Sequence, residues 1–157
     1  MTSKKDQIKI ITANRKAYHE YTITDSMEAG LVLTGTEIKS IRAGRVNLRD
    51  AYAKPDKGEL WLVGAHIAHH PGGNRYNHEP GRPRKLLLHR KEVAFLISQT
   101  EQKGLTLVPL RLYIKKGVAK VEVGVARGKK VYDKRESIRR KETDREMDRH
   151  MKSRTRA

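Results

Sequence analysis

The residues best suited to chemistry are the imidazoles of His66-Ile-Ala-His69-His70, followed by His78 and Glu79. Such a group could ligate zinc, but a zinc site wants three or four converging ligands, and a strand through this segment would send His69 and His70 to opposite faces. The reading is therefore surface histidines leading into a loop, with no metal and no cofactor. His19 stands beside Tyr18 and close to Tyr21 and could act as a general base, yet no nucleophile accompanies it. Two uses stay open for it: stacking or hydrogen bonding to RNA, or a half-buried strand histidine. The sequence has no phosphate-cradling G-x-x-x-x-G-K-S/T, no G-x-S-x-G turn, no H-E-x-x-H and no carboxylate cluster suited to two magnesium ions. The chain is not expected to be an enzyme.

Its charge points to a binding role instead. The 35 Lys and Arg against 18 Asp and Glu give a formal charge of +17, so the natural partner is a polyanion, nucleic acid first and an anionic membrane surface second. With 157 residues, 34% charged and 36% hydrophobic, there is material for one modest core. The absence of cysteine excludes disulfides, thiolate metal sites and a cysteine nucleophile, and is compatible with a reducing compartment. No apolar run approaches the roughly 18 to 20 residues that span a bilayer, and the polar start lacks a signal peptide's apolar segment. A cytoplasmic protein, neither secreted nor membrane-spanning, is expected.

The elements that must position these side chains are short. Residues 1–13 carry few anchors beyond Ile8, Ile10 and Ile11, which predicts a flexible N-terminal arm, with order beginning near Asn14. From 14 to 126, β-branched or aromatic runs alternate with turn signals, the texture of a small antiparallel sheet or barrel. Residues 18–24 and 30–33 read as strands. Residues 36–44 read as a helix capped by Thr34 or Thr36, with Ile38 and Ile41 on one face and Gly44 as its left-handed stop. Residues 52–54 and 59–63 flank Pro55-Asp-Lys-Gly58, where proline second and glycine fourth predict a hairpin on a type I turn. Residues 71–85 hold three of the five prolines beside Arg75, Arg82, Arg84 and Lys85, which predicts a basic loop offered as a contact surface. Residues 91–104 predict the longest helix of the body, with Val93, Leu96 and Ile97 on one face. Strands at 105–114 and 118–126 then surround Lys115-Lys-Gly117, and Val121, Val123 and Val125 alternate with Lys120, Glu122 and Gly124, so one face is core and the other solvent or ligand.

From Arg127 the composition changes to 13 Lys and Arg with 6 Asp and Glu in 31 residues, too few apolar side chains to fold alone. Asp133-Lys-Arg-Glu136 is similar to a capping box, and Glu136/Arg140, Glu142/Arg145, Glu146/Arg149 and Asp148/Lys152 stand at helix-supporting spacings. The expected organisation is an arm over 1–13, a barrel over 14–126, and a basic tail over 127–157 that is disordered when free and helical when bound. Small Greek-key barrels of the oligonucleotide-binding (OB) type fit the body, since they bind through loops and a strand face without a strict signature.

Particular words carry a closer likeness. Asn14-Arg-Lys-Ala-Tyr-His-Glu-Tyr21, the run from Glu28 to Asn47, Arg82-Pro-Arg-Lys-Leu-Leu-Leu-His89, Leu107-Val-Pro-Leu110 and Gly128-Lys-Lys-Val-Tyr-Asp-Lys-Arg-Glu136 occur in the order found in one bacterial family. The chain resembles the SsrA-binding proteins, also called small protein B, partners of transfer-messenger RNA. The resemblance implies a mostly β, OB-like antiparallel barrel with about three helices. It implies a non-catalytic adaptor that binds the tRNA-like domain of transfer-messenger RNA one to one, as a monomer. It also implies delivery to stalled ribosomes for trans-translation, the barrel standing where an anticodon arm would be and the tail entering the empty messenger channel. Elongation factor Tu and alanyl-tRNA synthetase enter only indirectly, through the alanyl-charged RNA.

The family's RNA contacts fall on Asn14, Arg15, His19, Tyr21, Glu28, Leu87 and Lys120. Glu28 would accept hydrogen bonds from base amino groups or a ribose 2′-hydroxyl, against the plainer reading of a surface salt bridge. Leu87 could equally be core. Arg82, Arg84 and Lys85 supply cations on the body. On the tail, Gly128, Lys129, Lys130, Asp133, Lys134 and Arg135 correspond to two family words implied to touch small-subunit rRNA, with Tyr132 between them as a stacking ring. The competing class is a structural ribosomal protein that binds rRNA; a nuclease built on His66, His69 and His70 is the remotest.

Overall fold

The computed structural model describes residues 8–73 and 77–129. They form nine strands and three helices: β1 (Ile8–Ala13), α1 (Arg15–Glu20), β2 (Tyr21–Leu31), α2 (Gly35–Arg42), β3 (Val46–Asn47), β4 (Tyr52–Asp56), β5 (Glu59–Val63), β6 (His66–Ile67), β7 (Arg84–Leu87), α3 (Arg90–Lys103), β8 (Thr106–Lys115) and β9 (Val118–Gly128). The main sheet runs β1-β8-β4-β5-β7-β2-β9, and β9 pairs back onto β8, so six strands close into a barrel with β1 added outside the ring. β3 and β6 form a separate two-stranded ribbon. The mostly β, antiparallel body with three helices is the expected fold class.

Closure follows from the length of β8. One edge pairs with β9 from Thr106 to Lys115. The other meets β4 at Leu107 and then β1 from Arg111 to Lys115. That second edge would present unpaired backbone groups if β1 did not cover it. Residues 8–13 are therefore a strand rather than the second half of a loose arm, held by β-branched Ile8, Ile10 and Ile11, with a bulge between Ile10 and Thr12.

Inside the barrel, Leu60, Leu62, Leu86, Leu107, Leu112, Val121, Val123 and Val125 meet Ile41 of α2 and Leu96 of α3. The alternation expected for residues 118–126 holds. Val108, Leu110 and Ala126 face the opposite way and form a small cluster with Ala17 of α1, with Tyr21 and Ile23 against it. A Cβ at Gly124 would lie 2.8 Å from a Leu110 methyl, so this close approach requires glycine.

Several local expectations are corrected. Residues 18–20 are helical, not strand, because the Asn14 side chain accepts from the Ala17 amide and starts a helix that ends only at Glu20. The two strands expected at 18–24 and 30–33 are one, β2. The hairpin at 52–63 is present, but Pro55 pairs with Leu60 inside β4, and the turn is Lys57-Gly58 with φ of 52° and 75°. Two consecutive left-handed residues give a twist that matches the flanking strands, which a type I turn would splay. Lys116-Gly117 repeats the device between β8 and β9. The basic loop ends earlier than expected, since β7 begins at Arg84. The helices at 35–42 and 90–103 agree with expectation: Thr34 caps the first in a reciprocal box with Glu37, and Gly104 closes the second at φ 62°.

Candidate nucleic-acid interface

The predicted residues separate into three places. Around α1, Arg15 and His19 lie one turn apart and exposed, while Tyr21 is half-buried. Asn14, read as a contact, is only 4% exposed. Its amide donates to the Leu48 carbonyl at 3.1 Å and the Pro109 carbonyl at 2.9 Å, while its oxygen caps α1. Asn14 is thus corrected from a surface contact to the post that aims Arg15 and His19. Beside it, Lys16 pairs with Asp50 at 2.9 Å, a contact that raises the lysine's pKa and lowers the aspartate's.

The second place is the outer face where β2, β7 and β9 meet. Glu28, Leu87 and Lys120, far apart in sequence, line one shallow pocket of about 360 Å³ with Gly30, Leu88, His89 and Glu92. Leu87 is 50% exposed, which excludes the core reading. It stands opposite Gly30, whose missing side chain makes room for it: a Cβ there would sit 3.2 Å from the Leu87 Cβ. Oε2 of Glu28 accepts from the Tyr113 hydroxyl at 2.5 Å and from the Lys115 ammonium at 3.4 Å. The Tyr113 bond is the main reason the Glu28 carboxyl lies below the usual range; burial opposes it, and Lys115 and Lys120 add to it. Burial, and then Glu28, pushes the Tyr113 phenol up, so it remains a donor.

The third place is centred on a buried ion pair. Arg84, expected to be a cation for RNA, is fully buried. Its Nε donates to Glu37 Oε2 at 2.6 Å, Nη1 to the Ala65 carbonyl at 2.8 Å, and Nη2 to the carbonyls of Pro80 and Glu79 at 3.0 and 3.3 Å. Arg82 donates to the other oxygen of Glu37. Burial alone would raise the Glu37 carboxyl, but bonds from Arg82, the Thr34 amide and Arg84 outweigh it and the net direction is down. Lys85 keeps partial exposure and pairs with Glu59 at 3.1 Å. The loop's cations are therefore largely engaged with the protein's own acids.

The histidines do not converge either. His78 is buried, with Nδ1 2.9 Å from the Thr36 hydroxyl and Nε2 2.8 Å from the Ile67 carbonyl, so it ties α2 to β6. His69 meets its ring edge-on at 5.9 Å. Among the described residues no group of three His, Asp or Glu is placed to hold a metal, and no helix is long and apolar enough to cross a membrane. Arg75, Lys130, Tyr132, Asp133, Lys134 and Arg135 lie outside the described residues, whereas Gly128 ends β9 and Lys129 follows it.

Sequence reasoning missed Tyr113, Lys115 and Glu37. Period-2 alternation in β8 puts Arg111, Tyr113 and Lys115 on the face opposite Leu112 and Ile114, and that signal was readable. Glu37 offered only its place three residues after Thr34, as the second half of a capping box.

A family model described as "SmpB protein" matches residues 11–153. The chain belongs to the SmpB family. Relatives named SsrA-binding protein include that of Geobacillus kaustophilus, 59% identical over 96% of this chain and 97% of its own. That of Shouchella clausii is 58% identical over 94% and 95%. A solved SmpB structure, described as "tmRNA-SmpB: a journey to the center of the bacterial ribosome", is 47% identical, covers 82% of this chain and 94% of its own, and superposes with a TM-score of 0.67.

Proposed function

We propose that this member of the SmpB family is an RNA-binding adaptor that grips the tRNA-like domain of transfer-messenger RNA and brings it to stalled ribosomes for trans-translation. The observation that carries the reading is the pocket joining Glu28, Leu87 and Lys120, three contacts implied by the family resemblance, in a chain 59% identical to a protein named for binding SsrA. Lys120 attracts phosphate, Leu87 offers an apolar ledge to a sugar or base, and Glu28 accepts from an amino group or 2′-hydroxyl. Arg15 and His19 on α1 supply a second set of contacts, with Tyr21 behind them. The barrel stands in place of an anticodon arm, and elongation factor Tu and alanyl-tRNA synthetase enter indirectly, through the alanyl-charged RNA.

The tail from Gly128 onward, with Lys129, Lys130, Tyr132, Asp133, Lys134 and Arg135, contacts small-subunit rRNA at the decoding centre and follows the messenger channel. Its cations track phosphate only where messenger is absent, which restricts action to stalled particles. No catalysis is assigned, and the cellular setting is the cytoplasm. Competition binding at near-physiological salt tests the reading: full-length protein should hold the tRNA-like domain against excess tRNA. Removal of residues 129–157 should leave that binding nearly intact and abolish tagging. Equal competition by tRNA overturns the adaptor reading, and loss of RNA binding on truncation overturns the division of labour.

A further inference from the structure

We infer that Tyr113 is a positioning residue for RNA recognition, its hydroxyl holding one oxygen of Glu28 so that the other alone faces the ligand as acceptor. The inference rests on the reading of Glu28 as an RNA contact. Tyr113 is 3% exposed although it lies on the outer row of β8, between Ile10 of β1 and Lys120 of β9. The Arg111 guanidinium covers its ring at 5.3 Å from the centroid and is itself anchored by Glu122 at 2.5 Å, so the ring is confined. The Tyr113 hydroxyl and Lys115 both donate to Oε2 of Glu28, whereas Oε1 accepts no hydrogen bond among the described residues.

A free carboxylate offers two oxygens with about four acceptor directions and turns about its own side-chain torsions. Saturating Oε2 from behind removes half of them and fixes the rest. Lys115 and Lys120 offset the negative charge, so that a phosphate nearby is not repelled. The ligand group that fits is a single directional donor, an exocyclic amine or a 2′-hydroxyl. The same hydroxyl keeps the Glu28 carboxyl below its ordinary range, hence ionised and purely an acceptor through mildly acidic pH.

The test measures affinity of the full-length protein for the tRNA-like domain with wild type, Tyr113→Phe, Glu28→Ala and the double variant, at fixed salt and across pH. Phe retains the ring and its packing. Tyr113→Phe should bind about tenfold more weakly, and the double variant no more weakly than Glu28→Ala, because Tyr113 acts through Glu28. Affinity should fall on acidification at a higher pH in Tyr113→Phe than in wild type. The other charged or titratable groups around the Glu28–Tyr113 pair are Lys115 on β8, Lys120 on β9, and His89 and Glu92 at the start of α3 beside Glu28, with Arg111 and Glu122 beside Tyr113, and β1 brings Ile8 and Ile10 to the same row. All are common to both proteins and cancel in the comparison. Additive losses in the double variant, or a Tyr113→Phe protein with wild-type affinity and acid limb while Glu28→Ala is impaired, overturn the role of Tyr113 alone. Wild-type binding by Glu28→Ala overturns both readings.

Discussion

Two acid–base clusters in this molecule each centre on a glutamate, and the protein uses the two carboxylates differently. At Glu37, both carboxylate oxygens are taken by Arg82 and Arg84, and Arg84 is closed off further by three backbone carbonyls. At Glu28, one oxygen is held by Tyr113 and Lys115 and the other accepts no hydrogen bond among the described residues, in a pocket that Glu28 lines together with Lys120 and Leu87. The Glu37 cluster joins α2 to β7 and is scaffold, its one carboxylate shared between two guanidinium groups. The Glu28 cluster faces outward with one valence unused. What separates the two is the unfilled hydrogen-bonding position at Glu28, which the proposed function gives to RNA, and residue type does not reveal it.

The largest effect that would sharpen this contrast is on stability at Glu37. Glu37→Gln leaves the buried Arg84 guanidinium without its counter-charge and should cost about 3–5 kcal/mol, read by urea unfolding, while the folded protein keeps its affinity for RNA. A cost below about 1 kcal/mol would place Glu37 among ordinary surface pairs. The wild type should show the same dependence through pH. Because the folded Glu37 carboxyl is depressed, its stabilisation is fully present above the unfolded value of about 4.3 and is lost as pH falls through the folded one. Unfolding midpoints measured from pH 6 downward should therefore drop below about pH 4 in wild type and drop less in Glu37→Gln.

Asn14→Ala comes next. It removes the α1 cap and one donor from each of the Leu48 and Pro109 carbonyls, the first of which keeps the Ala51 amide, for about 1–2 kcal/mol. Its thermal midpoint should fall while RNA affinity falls only as far as Arg15→Ala or His19→Ala lowers it. The smallest effect on stability belongs to Leu87→Ala, within about 0.5 kcal/mol because the side chain is half exposed. Its calorimetric affinity for RNA should nevertheless drop several-fold, and a protein that melts early but binds normally would reverse the assignment of the two clusters.

Much of the fold was legible because periodicity and turn chemistry act locally. The valine alternation of β9, the Gly104 stop and the Thr34 cap each depend on neighbours within a few residues. What was not legible depended on distant partners. Ile8–Ala13 becomes a strand only because β8 outruns β4. Asn14 looked like an exposed polar residue because nothing nearby in sequence announces the Leu48 and Pro109 carbonyls. Arg84 sits in a proline-rich basic run whose composition says surface, and its partner Glu37 lies 47 residues away. At the candidate site, Glu28 and Leu87 were reached through the family words and Lys120 through the wider resemblance, whereas Tyr113 required the register of β8 against β9 and the reach of Glu28 from β2.

The most direct test of the central claim follows nitrogen-15 resonances as the tRNA-like domain is added to full-length protein. The account predicts that the backbone amides of Glu28, Leu87, Lys120 and Tyr113 shift while the side-chain Nε–H of Arg84, enclosed against Glu37, stays in place. Movement of the Arg84 side chain with a silent Glu28 pocket would contradict it.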